Sequence, residues 1–558
     1  MKILSTFLIG LCVIWQAPAS AVSNAEQARN GMVVSANARS SEVGVAILKR
    51  GGNAVDAAVA VAFSLAVTHP AAGNIGGGGF LVHQGREGTA VAYDFRETAP
   101  AAAHPEMWLV DGDYNDERHH LSHVSVGVPG TVAGLHLAWQ DGGSLPWAEL
   151  LAPAIEQAKK GIVVTDGLAR SLENELPRLR KYPASVATFT NDGEPLRAGD
   201  LWRQPDLAAT LKRIADKGPD GFYRGRTADL IVAEMQRGGG IIRHDDLAGY
   251  VAKRRTPVRG TYRGYEVLSM SPPSSGGVAI VQMLNVLEGY DVAASGFGSA
   301  DTLHVMTEAM RRAFADRARY LGDPDFVEMP LSRLTAKAYA EELRQSIDPA
   351  RAGVSSPESF TWPTESRETT HFSVVDKDRN AVSLTYTLEY SYGSGIVVPG
   401  GGFLLNNEMG DFNAGPDLTD DTGLIGTSAN LAEPYKRMLS SMSPTIVNRD
   451  GELFMVTGTP GGRTIINTVL QTILNVIDHR ANAQTAVDLG RIHHQWLPDT
   501  LYVERLAFSP DTLRLLRARG HRVEQVDEQG VAEVIVVRDG VLEGGVDRRQ
   551  SDGGIAGY

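Results

Sequence analysis

The sequence predicts a mixed α/β fold with a strand-rich C-terminal third. Three observations predict it. Residues 40–67 read as two helices, the second apolar on almost every face. Residues 80–95 alternate in the manner of strands. At Thr369 a polar stretch rich in Ser, Pro, Glu and Thr gives way abruptly to alternating apolar residues. The chain has 558 residues, of which 43% are hydrophobic and 21% charged. That composition supports a large core and excludes global disorder.

Taken in order, Ser40 or Ser41 is expected to cap the first helix, and Gly51-Gly52 to end it. Asn53 caps the second, Ala54 to Val67. The glycines of Gly73-Asn74-Ile75-Gly76-Gly77-Gly78-Gly79 suit a place where backbone passes very close to something else. Ser271 to Gly277 forms a turn before an apolar helix. Leu303, Met306, Met310, Ala313 and Phe314 keep helical spacing behind a Ser299 or Asp301 cap. Arg351 to Glu368 has no period and reads as exposed and flexible. Then Phe372 and Val374, a turn at Asp376–Asn380, and Val382, Leu384, Tyr386 and Leu388 spell a β-hairpin. Strands are expected around Gly402–Leu405 and Leu453–Thr457, with a mobile surface loop at residues 413–422. A helix near 510–519 and short strands complete the chain.

Lys and Arg total 53 against 66 Asp and Glu, a formal charge of −13. That balance argues against a nucleic-acid partner. Residues 1–21 have the three parts of a cleaved export signal: basic Lys2, an apolar stretch from Ile3 to Trp15, and Ala19-Ser20-Ala21. The single cysteine, Cys12, lies in that segment. Its removal would exclude disulfides, thiolate zinc sites and a cysteine nucleophile, and would place the protein in the periplasm or outside the cell. No later apolar run reaches the roughly 20 residues of a membrane span.

No phosphate-binding glycine loop, H-E-x-x-H or G-x-S-x-G elbow is present. His119-His120, His123 and His493-His494 lack a carboxylate at a familiar ligand spacing, and read as structural or surface histidines, with no metal or cofactor. Glu368-Thr369-Thr370-His371 is the informative feature. A threonine at a strand start is ordinarily just a good β-former. The alternative is chain cleavage before Thr369, which would put a hydroxyl and an α-amine on one residue. Such an amine titrates at about 7.7–8.0 and can activate the hydroxyl as a nucleophile.

Thr369 to Asp376, Leu405-Asn406-Asn407-Glu408-Met409 and Leu439-Ser440-Ser441-Met442-Ser443-Pro444 resemble the γ-glutamyltranspeptidases. So do Gly52 to Ala58, Asp94-Phe95-Arg96-Glu97, Pro272 to Gly277 and Gly458-Thr459-Pro460-Gly461-Gly462. The resemblance spans the chain after residue 21, in order. It implies an N-terminal-nucleophile hydrolase fold, a four-layer αββα sandwich. It also implies self-cleavage between Glu368 and Thr369 into a large piece, 22–368, and a small one, 369–558, that stay together. Thr369 would be the nucleophile and Thr387 the hydroxyl that orients it. Gly461 and Gly462 would supply the oxyanion hole. Arg96, with Ser440 and Ser441, would hold the substrate α-carboxylate, and Glu408, Asp411 and Glu389 its α-ammonium. The implied reaction transfers the γ-glutamyl group of glutathione and related compounds to water, amino acids or peptides, with no cofactor.

Three positions depart from the family pattern. Glu389 stands where many members have asparagine, Thr422 where a covering aromatic is usual, and Met438 where proline is common. A smaller residue at 422 predicts a more open pocket. A glutaryl- or cephalosporin-type acylase on the same scaffold is the alternative enzyme, and a non-catalytic periplasmic binding homologue the alternative class. The three acids favour a substrate carrying an α-amine.

Overall fold

The computed structural model describes residues 23–356, 369–416, 418 and 427–558. The export signal, most of the segment before Thr369, Glu368 and Thr422 lie outside the described residues.

Fourteen strands, numbered in chain order, form two seven-stranded antiparallel sheets. The first holds β2 (Met32–Ser35), β3 (Gly78–Gln84), β4 (Ala90–Phe95), β5 (Lys253–Arg255), β8 (Thr370–Val375), β9 (Ala381–Thr387) and β14 (Gly554–Gly557). Their spatial order is β5-β4-β3-β9-β8-β2-β14. The second holds β1 (Glu26–Ala28), β6 (Val258–Tyr262), β7 (Tyr265–Ser269), β10 (Thr445–Arg449), β11 (Glu452–Gly458), β12 (Glu533–Arg538) and β13 (Val541–Val546), in the order β1-β13-β12-β11-β10-β7-β6. Residues before and after Thr369 therefore share both sheets.

Seven helices that matter to the site are α1 (Ala38–Lys49), α2 (Ala54–Thr68), α3 (Asp116–His120), α4 (Thr131–Gly142), α5 (Gly276–Leu287), α6 (Ala300–Tyr320) and α7 (Thr464–Ile477). The strand period of two explains the layers. Leu81, Tyr93, Phe372, Val374 and Leu384 face a core shared with α1, α2 and α4. Phe80, Val82 and Ala92 face the opposite core, shared with the second sheet, α5 and α7. This is the αββα sandwich. Every residue of α2 is buried. Each fully buried Val or Phe there contributes about 1.5–3 kcal/mol.

Local chemistry explains the element ends. Asn53 accepts from the N–H groups of Val55 and Asp56, while Asp56 accepts from Asn53 N–H at 3.0 Å, a reciprocal cap. The first helix differs from expectation. Its cap is Asn37, which accepts from Arg39 N–H. Ser40 and Ser41 lie inside the helix, and the Ser40 hydroxyl meets Ser64 at 2.8 Å to join α1 to α2. Ser299 caps α6 as expected. The segment around Gly402–Leu405 is not a strand but an irregular crossing with one bridge, Val397 to Leu404. The expected loop from 413 begins buried: Asn413 donates from its amide side chain to the Thr427 carbonyl at 2.6 Å.

Candidate active site

Strand register brings Thr369 and Thr387 together. Thr370 pairs with Tyr386 across β8 and β9. One step further along the same antiparallel register, Thr369 stands opposite Thr387. Both are nearly inaccessible, at 5% and 3% exposure. Thr387 is itself fixed from two sides. The Glu389 N–H donates to its hydroxyl at 3.0 Å, and the Asn74 amide donates to its carbonyl at 2.8 Å. The glycine run explains how Asn74 gets there. A Cβ on Gly77 would run into the Thr387 carbonyl, and one on Gly79 into the Thr385 carbonyl. The close approach expected from the sequence is to this wall of the site.

Gly461 and Gly462 have φ of +130° and +55° and lead into α7. Their carbonyls accept from Thr464 and Ile465 N–H, both at 3.1 Å, so the pair opens the helix. A helix start carries positive partial charge and suits a developing oxyanion. Gly462, Thr369 and Thr387 line one small cavity, with Met442 and Ile465 as apolar wall.

The other end of that cavity is charged. Arg96, Glu389, Glu408, Asp411, Ser440 and Ser441 line it. Arg96 is fully buried and pairs directly with Glu408 and Asp411, with Glu97 at 3.8 Å. It also donates to the Met438 and Leu439 carbonyls at 3.3 Å. The residues assigned to opposite charges of a substrate are thus each other's partners here. Burial opposes the arginine's charge, but Glu408, Asp411 and Glu97 hold its pKa above the ordinary range. The acids outnumber it. Burial raises Glu97 to about 8 against the pull of Arg96. Burial also lifts Glu408 well above the carboxylate range; Arg96 opposes this, and Glu97, Asp411 and Glu389 add to it. A site with this excess of buried acid favours an incoming cation.

Several residues outside the sequence-based set complete the site. Arg317 on α6 donates to Ser441 Oγ at 3.0 Å and to Ser275 Oγ at 2.7 Å. Ser275 in turn donates from both N–H and hydroxyl to the Ser440 carbonyl at 2.7 Å. Asn406 accepts from the N–H groups of Glu408 and Gly127. One signal for Arg317 was available: it continues the apolar stripe of Met310, Ala313 and Phe314, an unusual place for a charge. His119 and His120 are structural, as expected, and lie in a helix. They end α3 with rings 4.4 Å apart, both buried. His493 and His494 are buried too. Among the described residues, His304, Glu308 and His521 bring possible ligand atoms within 4.8 Å of one another. Glu308 is already taken up by Arg311, Arg312 and the Gly353 N–H, which disfavours a cation there.

A sequence model of the γ-glutamyltranspeptidase family matches residues 40–557. The glutathione hydrolase proenzyme of Escherichia coli K12 is 51% identical over 538 residues, covering 95% of this chain and 92% of its own. The glutathione hydrolase proenzyme of Pseudomonas aeruginosa is 44% identical over 556 residues, covering 98% and 97%. Among solved structures, the cephalosporin acylase of Bacillus halodurans superposes with a TM-score of 0.86 at 29% identity, covering 98% of both chains. No helix among the described residues is long and apolar enough to cross a membrane. With the family match covering twelve of the fourteen strands and every residue that lines the cavity, the chain belongs to the γ-glutamyltranspeptidase family.

Proposed function

We propose that this protein is a self-processing γ-glutamyl hydrolase and transferase that uses Thr369. The observation that carries the reading is the cavity itself. It sets one buried arginine among an excess of buried acids beside the Thr369–Thr387 pair. An amino-acid head group fits that balance. Its α-carboxylate would take Arg96 and the serine hydroxyls, and its α-ammonium would take Glu408, Asp411 and Glu389. The substrate zwitterion thereby replaces an internal ion pair without leaving a buried charge uncompensated.

Processing comes first. The Thr369 hydroxyl attacks the Glu368 carbonyl, the peptide bond shifts to an ester, and water releases residues 22–368 from 369–558. The freed α-amine then takes the hydroxyl proton as Oγ attacks the γ-amide carbonyl. The oxyanion is received by the N–H groups of Gly461 and Gly462, each such donor being worth about 2.7–4 kcal/mol. The amine leaves with the proton. Water or an acceptor amine then attacks the threonyl ester, giving glutamate or a new γ-glutamyl compound. The word proenzyme in the relatives' names supports processing, and the sharing of both sheets between the two pieces supports a lasting heterodimer. The leader-like residues 1–21 support export to the periplasm.

The whole-length likeness to an acylase favours a second reading, turnover of glutaryl side chains. Turnover of a γ-glutamyl anilide against the glutaryl anilide separates the two. The γ-glutamyl reading expects a preference of about a hundredfold or more for the donor with the α-amine, since losing it strands buried acids. Equal turnover would favour the acylase.

A further inference from the structure

His120 lies outside the motifs that carry the family resemblance. It ends α3 and is 4% exposed. Its Nδ1 is 3.3 Å from Oε1 of Glu389, and its Nε2 is 3.8 Å from Oδ1 of Asp116. The ring is clamped. Tyr390 stacks on it with centroids 5.4 Å apart and planes 3° apart, and His119 leans against it at 4.4 Å. His119 is in turn stacked on Trp108 at 4.2 Å, with the Tyr114 hydroxyl 3.0 Å from its Nδ1. Gly410 makes room for the pair. A Cβ there would collide with the His120 ring and lie 2.9 Å from Glu389 Oε1.

Glu389 is unusual as well. It lines the cavity, its side chain is 2% exposed, and its backbone sits at φ +80°. Asparagine tolerates that left-handed region better than glutamate, which is strained there. The longer acid reaches the imidazole that the structure puts beside it.

We infer that His120 is a positioning residue for acyl-donor specificity: it fixes the Glu389 carboxylate at the cavity wall, and once protonated it competes with the donor's α-ammonium for that carboxylate. This rests on the γ-glutamyl reading above. Neutral imidazole holds the carboxylate by close contact, its Nδ1 3.3 Å from Oε1 without hydrogen-bond alignment, and adds no charge beside it. Imidazolium brings a full charge within 3.3 Å, and two cations compete for one buried anion.

The groups facing the ring are Asp116 and His119 from its own helix, Tyr114 before it, Glu389 and Tyr390 after β9, and Asp411 beyond Gly410. Burial holds the His120 pKa below the ordinary 6.5, with Asp116 and Asp411 opposing. The ring is therefore neutral at neutral pH, and competition belongs on the acid side. Glu408 takes up its own proton because burial raises it, so the test has to isolate the contribution that passes through Glu389.

The experiment is steady-state kinetics of the processed enzyme with a γ-glutamyl anilide from about pH 5 to about pH 9. The variants are His120→Leu, His120→Gln, Glu389→Gln and the His120→Gln/Glu389→Gln pair. His120→Leu is expected to raise KM about threefold to tenfold, with a smaller change in kcat. His120→Gln keeps a polar side chain against Glu389 that cannot be protonated, so it restores the low KM near neutrality but loses part of the rise in KM on the acid side. In the Glu389→Gln background, replacing His120 adds nothing further. An acid-side KM profile unchanged in His120→Gln overturns the inference, as does an undiminished His120 effect without Glu389. If His120→Leu fails to process, His120→Gln and the pair decide alone. Loss of γ-glutamyl turnover in the wild type, with glutaryl turnover present, would overturn the substrate reading and this inference with it.

Discussion

The two ends of the cavity are built by different means. At the nucleophile end, position comes from backbone: the register of β8 on β9, the glycine run beneath Thr387, and the Gly461-Gly462 turn into α7. At the head-group end, position comes from charge. Arg96 leaves the end of β4 and meets Glu408 and Asp411 from more than 300 residues away, with Ser440 and Ser441 braced by Ser275 and Arg317. The backbone-built end loses catalysis or stability when volume is added. On the proposed function, the charge-built end is expected to lose substrate binding when a partner is removed, because the remaining charges are stranded.

That contrast can be broken in graded ways. The largest effect is expected from Arg96→Gln. Removing one member of a buried ionic cluster costs about 3–5 kcal/mol, so kcat/KM for a γ-glutamyl anilide should fall by about two to four orders of magnitude, mostly through KM. Gly461→Ala is next. Its Cβ would collide with Thr464 Oγ1 and shift the helix start, so kcat should fall about a hundredfold with KM little changed. Gly77→Ala tests the same end through stability. Pushing the Thr387 carbonyl should cost about 1–3 kcal/mol, seen as a lower Tm.

The pH dependence of stability sharpens the charge-built end. Glu97 is raised by burial from 4.5 to about 8, so the folded protein holds a proton that the unfolded chain releases. The contribution of this group is favourable below about 4.5 and is lost as pH rises through about 8. Glu97→Gln should flatten that part of the Tm-versus-pH curve, and saturating substrate should oppose the loss. The smallest effect is expected from the sequence departure at position 422. Thr422→Tyr should shift the ratio of hydrolysis to transfer by only a few-fold (about 1 kcal/mol or less), measured by product ratio at fixed acceptor.

What was legible in the sequence follows the same division. Locally encoded features read directly: the Asn53 cap, the hairpin that starts at Thr369, the close-packing glycines and the Ser299 cap. The caps and the hairpin depend on near neighbours in the chain, whereas the glycines show only that a close approach exists and not that it is to Thr385 and Thr387. The convergence of Arg96, Glu408 and Asp411 depends on sheet order, which no local period encodes, and it came instead from the family resemblance. Arg317 and His120 belong to neither class. They stand against Ser441 and Glu389, contacts that three-dimensional packing exposes; in the sequence Arg317 shows only as a charge on an apolar stripe, and His120 not at all. The Asn37 cap and the irregular crossing at 402–405 were misread because serines and β-formers there were taken up by tertiary contacts, Ser40 with Ser64 and Gly402 against Asp206 and Leu207.

The central claim is that Thr369 cuts its own chain and then carries the acyl group. The most direct test is the intact mass of the purified protein under denaturing conditions, beside Thr369→Ala. The account predicts two wild-type fragments matching residues 22–368 and 369–558, and a single uncut chain for Thr369→Ala. A wild-type chain that stays whole, or a Thr369→Ala chain that is cut at the same bond, would contradict it.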